Sequence, residues 1–235
     1  MSEAGGSPFH RFLCDLTPPI LLRGLRKLRA RRRPGPVVPP ASAAEGREQG
    51  PAWYDQIYER PLDYHEHYTR SRYYFRWVVV ADRILRAGGR SVLDLGCGPG
   101  QFAALLRDKG VLGYLGLDFS DGAIALARSA CPEFRFDVAD IIASPVLNED
   151  PYDVVVGLEF LEHVEADRGV LRRIRSGASF YGTVPNFPDP AHVRYFENTE
   201  AVRARYTEFF TGFEVEPFLA DDDGQVFFLF QGVRR

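Results

Sequence analysis

From residue 91 onward, short apolar runs alternate with segments whose apolar residues recur at three- and four-residue steps. The runs predict strands over 91–95, 112–118, 134–138, 152–158, 179–184, 213–218 and 225–231. The stepped segments predict helices over 101–109, 122–129, 167–176 and 199–210. Val154-Val155-Val156 has no polar alternate, which reads as a strand covered on both faces. Strand and helix in alternation imply an α/β fold, a mostly parallel sheet with helices on both faces. No helix separates the last two strands. They join through Asp221-Asp222-Asp223-Gly224, which predicts an antiparallel hairpin at one edge. One more helix is expected over 64–87, with Tyr74, Trp77, Val78, Ala81, Ile84 and Leu85 on its buried face and Gly88-Gly89 at its end.

Upstream the pattern changes twice. Residues 53–77 hold nine aromatics, and the stretch from Tyr64-His65-Glu66-His67-Tyr68 through Ser71-Arg72-Tyr73-Tyr74 is read as the N-terminal lid of the body that follows. Residues 34–52 hold five prolines, three glycines and no aromatic, which reads as a linker. Before it, residues 18–33 place Leu21, Leu22, Leu25 and Leu28 on one helical face and arginines on the others. The expected organisation is a basic arm over 1–33, a linker over 34–52 and a body over 53–235.

Charge sharpens that division. The chain has 235 residues and a formal net charge of −3. Eight of its 29 bases and two of its 32 acids lie in residues 1–33, a net of +6. The other 21 bases and 30 acids leave −9 for the remainder. A basic amphipathic stretch fits peripheral contact with an anionic membrane surface, and equally a solvated tail. The acidic body and the lack of a recognition motif argue against nucleic acid. Hydrophobic residues at 45% and charged residues at 26% exclude a fibrous or wholly disordered chain. Cys14, Cys97 and Cys131 form no CxxC pair, which fits a reducing cytoplasm rather than a disulfide framework. No apolar run reaches the roughly 18 residues of a membrane span. The expected location is cytoplasmic, peripheral to the inner face of the membrane.

The candidate chemistry begins where strand 91–95 meets its helix. Val92-Leu93-Asp94-Leu95-Gly96-Cys97-Gly98-Pro99-Gly100 removes side chains where a ligand approaches backbone amides, and the next helix adds its dipole. A dinucleotide-binding loop would carry glycine at position 101; this chain has Gln101. Asp118, twenty residues beyond Gly98 at the end of the next strand, can accept hydrogen bonds from both hydroxyls of a ribose. Asp140 follows the third strand. Its carboxylate can accept from an adenine amino group, with Ile141 beside the ring.

VLDLGCGPG, GLDFS, the acid after the third strand and YDVVVGLEFLEHV resemble the motif series of class I S-adenosylmethionine-dependent methyltransferases, over about residues 73–235. The resemblance implies a Rossmann-like seven-stranded sheet of order 3-2-1-4-5-7-6 with strand 7 antiparallel. It implies S-adenosylmethionine as cofactor, with Gly96, Gly98 and Gly100 along the methionine moiety, Asp118 on the ribose and Asp140 at the adenine. Asp94, Cys97, Phe119, Ile141 and Glu159 complete that expected cofactor site.

Methyl transfer to a hydroxyl needs an aligned oxygen and an acceptor for its proton. Residues after the fourth strand stand nearest, and His163 and Glu159 are the expected catalytic groups; Glu162 and His163 can instead simply orient the following helix. Glu159, Glu162 and His163 also form E-x-x-E-H, similar to the metal-binding phrase of ubiquinone-pathway O-methyltransferases and small-RNA 2′-O-methyltransferases. With His192 as a fourth ligand, such a set suits Mg²⁺ or another hard divalent ion. Asn186 is expected to hydrogen-bond the acceptor, and Arg72 to meet the cofactor carboxylate. LTPPILLRGLRKLR and SRYYFRW resemble bacterial methyltransferases of polysaccharide or lipid-linked glycan synthesis. The expected reaction is O-methylation of a sugar, glycolipid or other small or lipid-linked metabolite. A phenol or quinone O-methyltransferase, an N-methyltransferase and a non-catalytic scaffold stay open.

Overall fold

The computed structural model describes residues 46–60, 63–149, 152–219 and 225–235. The arm over 1–33, linker positions 34–45 and the Asp221-Asp222-Asp223-Gly224 turn lie outside them.

Seven strands form one sheet: β1 (Ser91–Leu95), β2 (Gly113–Asp118), β3 (Arg135–Val138), β4 (Val154–Leu158), β5 (Ser179–Pro185), β6 (Phe210–Leu219) and β7 (Val226–Arg234). Their order is β3-β2-β1-β4-β5-β7-β6. The first five pair in parallel, and β7 runs antiparallel to both β5 and β6. The helices are α1 (Pro51–Tyr58), α2 (Tyr74–Arg86), α3 (Gln101–Asp108), α4 (Asp121–Ala130), α5 (Val146–Glu149), α6 (Asp167–Arg173) and α7 (Thr199–Tyr206).

Successive strand residues point to opposite faces, so the doubly apolar strands feed two cores. Leu93, Leu95, Val155, Phe180 and Phe230 pack on one side with Val170 and Leu171 of α6 and Val202 and Tyr206 of α7. Val92, Val154, Val156, Tyr181 and Leu229 pack on the other. There they meet Val80, Ala81 and Ile84 of α2, Phe102, Leu105 and Leu106 of α3, and Ile124 and Ala127 of α4. Parallel strands so covered bring the carboxyl ends of β1–β5 to one edge, where open α/β sheets bind ligands.

Four expectations need correction. The helix expected over 64–87 starts only at Tyr74; before it stand short 3₁₀ turns over Asp63–His65 and Tyr68–Arg70. Tyr68 donates its hydroxyl to Asp108 at 2.7 Å and Gln101 donates to the Glu66 carbonyl at 2.7 Å, so long-range bonds hold this stretch out of a helix. On α2 itself Val80 is buried and Leu85 is exposed, because the buried stripe follows 77, 80, 81 and 84. The end of the expected linker is not a linker: Arg47 N and Gln49 Nε2 both donate to the Pro190 carbonyl, and α1 begins at Pro51, where proline suits a first turn. Finally, β6 starts three residues early, its pairing with β7 slipping between Thr211 and Glu214, where Gly212 has φ +61°. Among the described residues no helix is long and apolar enough to cross a membrane.

Candidate active site

The glycine loop and Asp118 form one unit. Gly96 N and Cys97 N both donate to the Leu117 carbonyl, at 2.8 and 3.0 Å, tying the loop to the end of β2. Gly98 N donates to Asp118 Oδ2 at 2.9 Å, and Ser120 N donates to Oδ1 at 3.0 Å. Burial raises the Asp118 carboxyl above its ordinary range, against these amide donors. Gly96 has φ +74°, and a Cβ there would meet the Phe160 ring at 2.8 Å. The turn therefore requires glycine both for its backbone and for the space above it.

Around this unit, one cavity of about 330 Å³ collects the other expected cofactor residues: Asp94, Cys97, Phe119, Asp140, Ile141 and Glu159 all line it. Asp94 accepts from the Tyr114 hydroxyl at 2.5 Å, and burial pushes its carboxyl up to about 7. Asp140 Oδ1 accepts from Ile142 N at 2.9 Å, and the neighbouring Ile141 is buried. The Cys97 thiol is buried and held well above its ordinary pKa, so it serves as a small apolar wall. Gly100, in a left-handed conformation, ends the loop as the residue before α3. A ring-lined cleft with a glycine cradle and a ribose-type acid fits S-adenosylmethionine.

The other half of the cavity lies beyond β4 and β5. Glu159, first after β4, has φ +56°, the one positive φ at a non-glycine among the described residues. Its N–H donates to Thr183 Oγ1 at 2.8 Å, which locks the strained backbone to β5. Its Oε1 is buried without a partner, and burial pushes the carboxyl up to about 7 while Arg76 and Arg72 pull it down. Glu162 is fully buried with both oxygens unpartnered and its carboxyl well above the ordinary range, by burial and then by Glu159.

The loop after β5 folds back onto this turn. Val193 N donates to the Glu162 carbonyl at 2.8 Å, and His163 Nδ1 donates to the Ala191 carbonyl at 2.9 Å. His192 Nδ1 donates to the Phe187 carbonyl at 3.1 Å. Carbonyls only accept, so both imidazoles carry their proton on Nδ1 and leave Nε2 as acceptor. Burial lowers His163 to about 4 and lowers His192 as well. One donor atom each from Glu162, His163 and His192 lies within 4.8 Å of the others. The expected four-residue metal set thus comes together in three members, and Glu159 stands outside that group.

Two expectations shift. Asn186 does not line the cavity; its N–H donates to the Val226 carbonyl, and its Oδ1 accepts from Val226 N at 2.7 Å, joining β5 to β7. The lid is mainly α1, which the proline-rich composition had hidden. Tyr54, Ile57 and Tyr58 line the cavity, and Asp55 accepts from the Ser120 hydroxyl at 2.5 Å at the start of α4. The signal was present in the aromatic density of Trp53, Tyr54 and Tyr58. Tyr64, Arg72 and Tyr73 line the cavity too, whereas Tyr68 is spent on α3, His65 on the Tyr58 carbonyl and His67 on Thr69.

Residues 92–177 match the family model described as a methyltransferase domain. A probable S-adenosylmethionine-dependent methyltransferase of Mycolicibacterium smegmatis is 31% identical over 164 residues, 63% of this chain and 62% of that one. A ubiquinone biosynthesis O-methyltransferase of Stutzerimonas stutzeri is 29% identical over 46% of this chain and 50% of its own. The chain thus spans between a half and two thirds of these relatives. Among solved structures, magnesium protoporphyrin IX methyltransferase from Synechocystis, with S-adenosylhomocysteine bound, superposes with a TM-score of 0.53 at 19% identity over 68% of this chain and 82% of that one. Strand order, the loop clamped to the acid of the neighbouring strand, and the matched domain agree: residues 92–177 match a methyltransferase domain, in a fold and site similar to those of class I S-adenosylmethionine-dependent methyltransferases.

Proposed function

We propose that this protein methylates a hydroxyl oxygen of a small or lipid-linked acceptor, with Glu159 taking the hydroxyl proton. One observation carries the reading: a buried carboxylate with an unpartnered oxygen stands on a strained residue at the carboxyl end of β4, between the cofactor half of the cavity and its far wall. S-adenosylmethionine supplies an electrophilic methyl group, so that the acceptor oxygen's electron pair forms the C–O bond as the carbon–sulfur bond breaks. The chain's own residues do the rest. The loop and Asp118 fix the ribose and methionine ends. Arg72, whose Nη2 donates to the Tyr73 hydroxyl at 2.8 Å, faces the cavity as counter-ion for a carboxylate. Phe160 and α1 shut out water. A carboxyl poised near 7 matches the working range of a general base, whereas His163 near 4 is a poorer one and positions the acceptor. A relative named as an O-methyltransferase supports oxygen as the acceptor atom. Labelled S-adenosylmethionine offered with lipid, glycan and soluble metabolite fractions tests the reading, and label recovered only on nitrogen would overturn it.

A second reading is favoured by Glu162, His163 and His192. Two orphaned carboxylate oxygens in a dry site demand a proton or a cation, and each imidazole is already oriented through Nδ1, as metal-bound histidines are. A hard divalent ion there would lower the pKa of a bound hydroxyl. Exhaustive chelation is then expected to cut activity at least tenfold, with Mg²⁺ or Mn²⁺ restoring it. Undiminished activity would reject the ion.

The partner of the N-terminal arm is proposed from sequence alone: residues 18–33 hold the chain on an anionic membrane surface. Each basic residue near such a surface contributes about 1 kcal/mol. Full-length protein should pellet with phosphatidylserine vesicles, and the charge reversal R29E/R31E/R32E/R33E should abolish pelleting. Equal pelleting of the two proteins would remove the anchor.

A further inference from the structure

The far wall of the cavity is a belt of rings. Centroids step from Tyr54 to His163 at 6.1 Å, to His192 at 4.8 Å, to Phe187 at 5.8 Å, to Phe227 at 5.2 Å and to Tyr73 at 6.1 Å. All six line the cavity. They come from α1, the turn after β4, the loop after β5, β7 and the turn before α2, so no single helix or strand periodicity explains them. Most of these contacts are edge-to-face, and the Arg76 guanidinium stacks on Phe227 at 3.9 Å and on Tyr73 at 4.9 Å, itself adding a flat surface to the belt.

The charges sort just as unevenly. Among the described residues that line the cavity, Arg72 is the one guanidinium or ammonium group, set against Glu48, Asp94, Asp118, Asp140, Glu159 and Asp189. A cofactor carboxylate uses Arg72. A carboxylate or phosphate on the acceptor would then be buried among six acids, with the nearby Arg76 guanidinium already stacked on Tyr73 and Phe227 and offsetting Glu159, which is unfavourable. A sugar would fare poorly for another reason. Each of its several hydroxyls needs a partner on burial, and beyond the two imidazole Nε2 atoms and the Tyr54 and Tyr73 hydroxyls the belt presents carbon.

We infer that the acceptor is an uncharged planar aromatic ring, seated in this belt with its hydroxyl turned toward Glu159. The inference rests on the methyl-transfer reading and narrows it away from sugars and glycolipids. The ring stacks on side-chain rings at no cost in hydrogen bonds. Its hydroxyl proton passes to the Glu159 carboxylate, the oxygen pair forms the new C–O bond, and the carbon–sulfur pair leaves with S-adenosylhomocysteine.

The test uses the full chain, labelled S-adenosylmethionine and three probes: 2-naphthol, its carboxylated counterpart 6-hydroxy-2-naphthoate, and methyl α-glucoside. The expected result is label on 2-naphthol, a KM at least tenfold higher for the naphthoate, and none on the glucoside. Phe187→Leu should raise the KM for 2-naphthol about tenfold while S-adenosylhomocysteine binds with unchanged Kd, which also shows that the variant is folded. Label on the glucoside alone, equal use of naphthol and naphthoate, or an unmoved KM in Phe187→Leu overturns the inference. Naphthol fluorescence separates the two readings. Quenching without methylation supports the belt and rejects the transfer, whereas methylation confined to the glucoside keeps the transfer and rejects the belt. Neither quenching nor label on 2-naphthol rejects the aromatic acceptor.

Discussion

Replacing Glu159 by glutamine is expected to lower kcat by about 10²–10⁴-fold, the usual contribution of a positioned general base, while S-adenosylhomocysteine binds with an unchanged Kd. Glutamine keeps the size of the side chain and its place on the strained backbone, and removes only the proton acceptor. The pH profile gives the sign. Burial holds the carboxyl at about 7 against an ordinary 4.5, so the basic form appears only as the pH rises through neutrality. The wild-type rate should climb tenfold per pH unit below about 7 and level off above it; the E159Q rate should be low and flat over that range. Stability moves the other way. A raised carboxyl pKa contributes stability that is complete below the unfolded value and lost as pH climbs through the folded one. E159Q should therefore melt above the wild type at pH 8, a sign that the site holds strain for function. A rate within tenfold of wild type would exclude a base role. That is the behaviour an amine acceptor would show, because its nitrogen already carries a free pair.

How much of this was legible in the sequence differs between the two halves of the cavity. That Asp94, Gly96, Gly98 and Asp118 gather in one cavity was legible because loop and strand end are local: each residue's position follows from its place at a strand terminus. The two-sided core was legible in Val154-Val155-Val156 for the same reason. The acceptor half is assembled by tertiary contacts that no spacing encodes. The His192 and His163 rings stand 4.8 Å apart because the loop after β5 folds back onto the Glu162 carbonyl, and Asn186, directly after β5's last residue, is drawn instead into pairing with β7. The strain at Glu159 is likewise invisible in its identity. The region before α2 failed as a helix because Tyr68 and Gln101 find partners 40 and 35 residues away, which outweighs local propensity. α1 was missed since Pro51 follows a proline-rich run, and proline marks a helix start as readily as a linker.

The cofactor half yields the second large effect. Asp118→Ala is expected to weaken S-adenosylhomocysteine binding by at least about 100-fold, since hydrogen bonds to a charged group are worth about 1.5–3 kcal/mol each and about 1.4 kcal/mol is tenfold. The carboxylate already accepts from Gly98 N and Ser120 N. The Phe119 amide acts on it as well, and the lone-pair capacity that remains on the carboxylate is what a ribose hydroxyl would use. The substitution therefore removes two things at once, the ligand contact and the clamp that holds the glycine loop to β2. Calorimetry of two variants separates them. Asp118→Asn retains an acceptor for one of the two amides and so part of the clamp, but turns a donor toward one hydroxyl, and it should lose affinity nearly as steeply as Asp118→Ala while melting closer to the wild type. Should Asp118→Asn bind S-adenosylhomocysteine as the wild type does while Asp118→Ala does not, the acid serves only to shape the loop. Full affinity in both variants would remove Asp118 from the cofactor site altogether and with it the reason this strand end and this loop are locked together.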